Sequence, residues 1–172
     1  DDALAAPRPR LAMHIRRGDS CHDGARTGRR CSAASEYARA AGELAARYGF
    51  RSLLVATDSD GALDELRREL PARGWPAGAP VLARNDSQRA DTIRMAMKRI
   101  ERAWGEGGTI EPWAEFYSFM TDVQLLADCD GLVGKFTSNM DRVVYALMAG
   151  RARCDRPFVS LDAPFCFGGF GS

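Results

Sequence analysis

Short apolar runs separated by amphipathic stretches constrain this chain more than any other feature. Ser52 to Thr57 (SLLVAT) is apolar without alternation, the mark of a strand covered on both faces, which points to a central parallel strand. Leu11 to Ile15, interrupted by His14, and Val81 to Ala83, Gly131 to Gly134 and Phe158 to Leu161 are further strand-type runs. Between them apolar residues recur at helical steps: Tyr37, Ala41, Leu44, Ala45 and Tyr48; Leu63, Leu66 and Leu70; Ile93, Met97 and Ile100. Trp113, Phe116, Met120, Val123 and Ala127 form a fourth stripe, and Val144, Leu147 and Met148 a fifth. This alternation predicts an α/β fold: a Rossmann-like doubly wound parallel sheet with helices on both faces.

Local punctuation agrees with that reading. Gly49 ends the first helix, which Ser32 or Ser35 can cap. Asp58, Ser59 and Asp60 supply a cap for the second, Asp86 or Ser87 for the third, and Ser138 with Asp141 a capping box for the last. Pro71, Gly74, Pro76 and Pro80 exclude regular helix ahead of Val81, and Trp104 to Pro112 reads as a loop. Residues 1–10 are expected to be a lead-in, 11–163 one domain, and 164–172 an irregular tail.

Charge and cysteine usage narrow the partners. Lysine plus arginine number 24 against 23 acidic residues, so no broad basic footprint for nucleic acid is expected. The first thirty residues nevertheless hold Arg8, Arg10, Arg16, Arg17, Arg26, Arg29 and Arg30 against Asp1, Asp2, Asp19 and Asp23, a balance that suits a small phosphate ligand. The 5 cysteines show no CxxC spacing, which argues against a zinc site. Cys21 and Cys31 can bridge in an oxidising compartment and would stay reduced in a cytosolic one. No apolar run approaches the roughly 20 residues of a membrane span. Without a start methionine or signal-like segment, the chain is expected to be a mature, processed or excerpted piece.

Ligands of such sheets bind beyond the carboxyl ends of the strands, and three polar clusters fall there: His14 to Asp19, Thr57 to Asp60, and Phe136 to Arg142. Arg16 and Arg17 offer forked donors suited to a diphosphate. Thr137, Ser138 and Asn139 open a helix whose N-terminal N–H groups favour an anion. Together they describe a diphosphate cradle without a GxGxxG or Walker loop. Each residue also has a plain structural reading: arginines solvated in a loop, His14 hydrogen-bonded in a core, Asp58, Asp60 and Ser138 as caps.

The order Met13-His14-Ile15-Arg16-Arg17-Gly18-Asp19, then Leu54-Val55-Ala56-Thr57-Asp58, then Asp122, then Leu132 to Tyr145 resembles the fucosyltransferase superfamily. That superfamily includes the α1,6-fucosyltransferases, nodulation fucosyltransferases and protein O-fucosyltransferases. The likeness runs from about Leu11 to Met148. It implies the C-terminal, GDP-fucose-binding half of a GT-B glycosyltransferase, with an N-terminal partner domain or chain supplied separately. By resemblance, Arg16 would hold the β-phosphate and Arg17 would position the loop or donor. His14 and Asp122 would meet the guanosine, while Asp19, Asp58, Thr137 and Ser138 would shape the donor pocket. The resemblance further implies inverting transfer to a glycan or protein acceptor without a metal or other cofactor, and, for a eukaryotic relative, the secretory-pathway lumen. The chain departs from the α1,6 enzymes at Ser20, where they carry lysine, and at Ser59, where they carry a second aspartate. Their proposed basic glutamate has no counterpart in register, Asp23 being near it. The alternative is a non-catalytic interaction module that keeps the fold, with Trp104, Trp113, Phe165, Phe167 and Phe170 as a partner surface.

Overall fold

The strand-type runs assemble into one five-stranded sheet in the computed structural model, which describes residues 5–17, 21, 31–83 and 112–166. In chain order the elements are β1 (Arg10–Ile15), α1 (Ala34–Tyr48), β2 (Ser52–Thr57), α2 (Asp60–Glu69) and a 3-10 turn (Pro71–Arg73). There follow β3 (Val81–Ala83), α3 (Pro112–Ala127), β4 (Gly131–Gly134), α4 (Asn139–Ala152) and β5 (Phe158–Ser160). All strand pairs are parallel, in the order β3-β2-β1-β4-β5. Met13 pairs with Val55 on one side and Val133 on the other, so β1 is the centre of the sheet.

The period of two along each strand divides the core into two layers. Leu11, Met13, Ile15, Leu53, Val55 and Val133 face α1 and α2. Ala12, Leu54, Ala56 and Leu132 face α3 and α4. This is the α/β doubly wound architecture that the unbroken apolar runs predict. Full burial of each such leucine or valine contributes about 1.5–3 kcal/mol.

Local signals succeed where they act within one turn. Gly49 adopts φ 70° at the end of α1, and its N–H donates to Ala45 O. Ser59 caps α2 and Ser138 caps α4, each hydroxyl accepting an N–H three residues on. Other expectations are corrected. The N-cap of α1 is Ala33 rather than Ser32 or Ser35; it has no side-chain cap, but its own N–H donates to the Glu36 carboxylate at 2.9 Å, the half of a capping box that an alanine can still make. The α3 stripe is buried only at its C-terminal half, through Val123, Leu126 and Ala127, whereas Trp113 and Phe116 are exposed. On α4, Val144, Tyr145 and Met148 turn inward and Leu147 is exposed, because the helix packs over β4 on a narrower stripe than the periodicity suggests. The expected helix around Ile93, Met97 and Ile100 lies outside the described residues, as do Trp104, Phe167 and Phe170.

Cys21 and Cys31 are joined by a disulfide, with Cα atoms 5.3 Å apart. The bond ties the segment after β1 to the start of α1. No described helix is long and apolar enough to cross a membrane.

Candidate functional site

The strand order reverses between β1 and β4, since the chain steps outward from β1 to β2 and β3 and then returns to β4 on the other side. A crevice opens at such a reversal beyond the carboxyl ends of the two strands, the place where α/β sheets hold ligands. Arg16 and Arg17 leave β1 there, and the 135–138 loop and the N-terminus of α4 leave β4 there.

His14 and Asp141 join the two sides. Asp141 is 1% exposed in the first turn of α4, and His14 Nδ1 lies 2.5 Å from its Oδ1. Its Oδ2 accepts the Lys135 N–H at 2.7 Å. Gly134 makes this approach possible: a Cβ there would stand 2.7 Å from Asp141 Oδ2. Burial alone would lower the His14 pKa, but the charge of Asp141 and its hydrogen bond, with Asp58 assisting and Arg16 opposing, leave it raised. Sequence reading treated Asp141 as a capping residue; its contact with His14 spans 127 positions, and no local signal announces it.

The two adjacent arginines have different surroundings. Arg17 is fastened to the β2 side: its N–H donates to Asp58 Oδ1 at 2.8 Å and its guanidinium meets Glu65 on α2 at 2.7 Å. The hydrogen bond from Arg17, with its charge, holds the Glu65 carboxyl below the usual carboxylate range. Arg16 is exposed at the rim, near enough to His14 to oppose its protonation. Asp58 therefore orders the segment that carries both arginines.

The loop after β4 is held at every residue. Phe136 N–H donates to Ser160 Oγ at 3.1 Å, and the Arg142 guanidinium donates to Phe136 O at 2.7 Å. The Thr137 hydroxyl donates to Asp162, so it retains only acceptor capacity toward a ligand. Ser138 accepts from the Asp141 N–H, which leaves its own hydroxyl proton available. A loop fixed in this way presents the first N–H groups of α4 without further ordering on binding.

The structure thus gathers His14, Arg16, Arg17, Asp58, Thr137 and Ser138 around one rim. Asp122 belongs to α3, five residues before that helix ends, which is about 7.5 Å along its axis. Asp19 lies outside the described residues. Tyr37 is a residue sequence reading assigned to packing alone. It is buried in the first turn of α1, and its pKa is raised by burial and then by the charges of Asp141 and Asp162. Among the described residues no group of three or more His, Cys, Asp or Glu side chains could hold a metal ion. The chain matches no protein-family model and no curated protein.

Proposed function

We propose that the chain is a fucosyltransferase-type donor domain, binding GDP-fucose at the β1–β4 rim and supporting inverting transfer to a glycan or protein acceptor. The observation that carries this reading is the meeting, at the strand reversal, of a paired-arginine strand end with a capped helix N-terminus, the two joined through His14 and Asp141. In this reading Arg16 takes the β-phosphate and supports the departing diphosphate. Ser138 and the first N–H groups of α4 receive a second phosphate oxygen. Arg17 and Asp58 hold Arg16 in place. Charge would then be stabilised by oriented protein donors, the arrangement that supplies several kcal/mol to transition states of this kind.

A second domain or partner chain would bring the acceptor. The Cys21–Cys31 bond favours an oxidising compartment such as the secretory-pathway lumen. Calorimetric titration with GDP and GDP-fucose, with UDP and ADP as controls, tests the reading. Guanine-selective binding supports it; equal binding of all four, or none, contradicts it.

One observation favours the non-catalytic alternative. Trp113, Phe116, Tyr117 and Phe119 are exposed along α3, more aromatic surface than a solvated helix needs. Phe165 packs edge-on against Phe136 at 5.2 Å between ring centres and stays partly exposed. Substituting Trp113 and Tyr117 with serine should leave nucleotide titrations unchanged on the donor-domain reading.

A further inference from the structure

The His14–Asp141 pair places a carboxylate in the first turn of α4, where the proposed donor site needs positive potential. Asp141 is almost wholly buried, and its carboxylate is engaged by His14 and by the Lys135 N–H, not by solvent. With neutral His14, that carboxylate would keep its negative charge in the first turn of the helix whose N-terminus the proposed phosphate site uses. Asp58, after β2, adds a second carboxylate facing the imidazole, and Arg16, beyond β1, is the cation that faces it. Tyr37, from α1, is kept protonated by burial and then by the charges of Asp141 and Asp162. Among the acids and arginines of this rim, the imidazole is the group whose charge changes near neutral pH and so can decide whether an anion is welcome.

We infer that the pair carries a proton as part of the binding site: a nucleoside diphosphate binds to the form in which His14 is an imidazolium held by Asp141, and binding draws a proton from solution whenever His14 is neutral. Asp141 is then a positioning residue that keeps the cation at the floor of the rim, and His14 an electrostatic contact to the phosphates. The inference rests on the reading of the rim as a diphosphate site and deepens it. Its direction follows from the pair itself. The raised pKa means that the imidazolium is present below the ordinary histidine range and is lost as pH rises through the higher folded value. Affinity should fall over that same interval.

Calorimetry with GDP in two buffers of different ionisation enthalpy reads the proton directly. At about pH 8 the terminal phosphate, whose second ionisation lies near 6, contributes no proton of its own. At and above that pH the wild-type chain should take up as much as one proton, the fraction rising as pH passes through the folded His14 value. Its affinity should fall up to tenfold per pH unit above the His14 pKa. Asp141→Asn, which can still accept the Lys135 N–H, should bind more weakly and show a flattened pH profile, and His14→Gln should show no uptake. Binding by the wild-type chain with no proton uptake and a level pH profile overturns the inference while leaving the donor site standing. Absence of GDP binding at every pH overturns both.

Discussion

At the two ends of the same sheet, arginines and aspartates are put to opposite uses. At the amino-terminal edge Arg8 grips both oxygens of Asp130 at 3.1 Å and reaches Asp128 at 2.6 Å. Asp130 also accepts the Arg10 N–H at 2.9 Å, and its own N–H donates to Arg10 O at 2.7 Å. These contacts latch the start of β1 to the start of β4, and each charge is met by its opposite. At the carboxyl-terminal rim the corresponding tie is His14 to Asp141, in which one partner can lose its charge, and Arg16 stands at the surface beside it. A latch needs permanent opposite charges; a binding rim needs potential that a ligand can complete. A groove of about 460 Å³ lies at the amino-terminal side instead, lined by prolines, glycines and alanines with Phe50 and Arg51.

The largest expected effect comes from closing the gap that Gly134 leaves. Gly134→Ala forces the Asp141 carboxylate away, and overpacking of this kind costs about 1–3 kcal/mol before the lost pairing is added. Urea denaturation should show a drop of about 3 kcal/mol, with GDP affinity reduced in the fraction that remains folded; an unchanged midpoint would mean that the rim is looser than the contacts indicate. Next comes the disulfide: Cys21→Ser with Cys31→Ser should cost about 2–3 kcal/mol by the chain-entropy account. It should weaken GDP binding as well, because Cys21, one end of the bond, donates its N–H to Arg17 O at 3.2 Å. A purely structural bridge would change stability and leave the affinity of the folded form intact.

The smallest effect separates the two neighbouring arginines. Glu65→Gln removes the ion partner of Arg17, and since the Glu65 carboxylate is screened by solvent its effect on stability should be the smallest of these. The folded Glu65 pKa is depressed, so the pair's contribution is present above the unfolded carboxylate range and lost as pH falls through the folded value. The variant should therefore flatten the acid side of the stability profile. An unaltered acid limb would show that the Arg17 clamp contributes nothing measurable.

Much of this comparison can be read from the residues, and the boundary is physical. Burial on both faces imprints itself on consecutive residues, so Ser52–Thr57 announces a central parallel strand. Caps act within a turn, so Ser59, Ser138 and Gly49 are legible. The rim was legible as a set of residue types after strands, but not as contacts. Arg16 and Arg17 look alike until Glu65 and Asp58 arrive from another element, and Asp141 looks like a cap until β1 brings His14 beside it. The α3 stripe has helical periodicity throughout, yet only tertiary packing decides that Val123 is covered and Trp113 is not.

The direct test of the central claim sets two arginines from the two ends against each other. GDP affinity and unfolding free energy are measured for the wild-type chain, Arg16→Ala and Arg8→Ala. Loss of the rim guanidinium should cost about 2–4 kcal/mol of binding, roughly a hundredfold in affinity, with stability unchanged within about 0.5 kcal/mol. Loss of the half-exposed latch guanidinium should cost about 1–2 kcal/mol of stability and leave GDP affinity as it was. Equal affinities in the wild-type chain and Arg16→Ala, or equal losses of affinity in both variants, would contradict the assignment of the rim as the binding site.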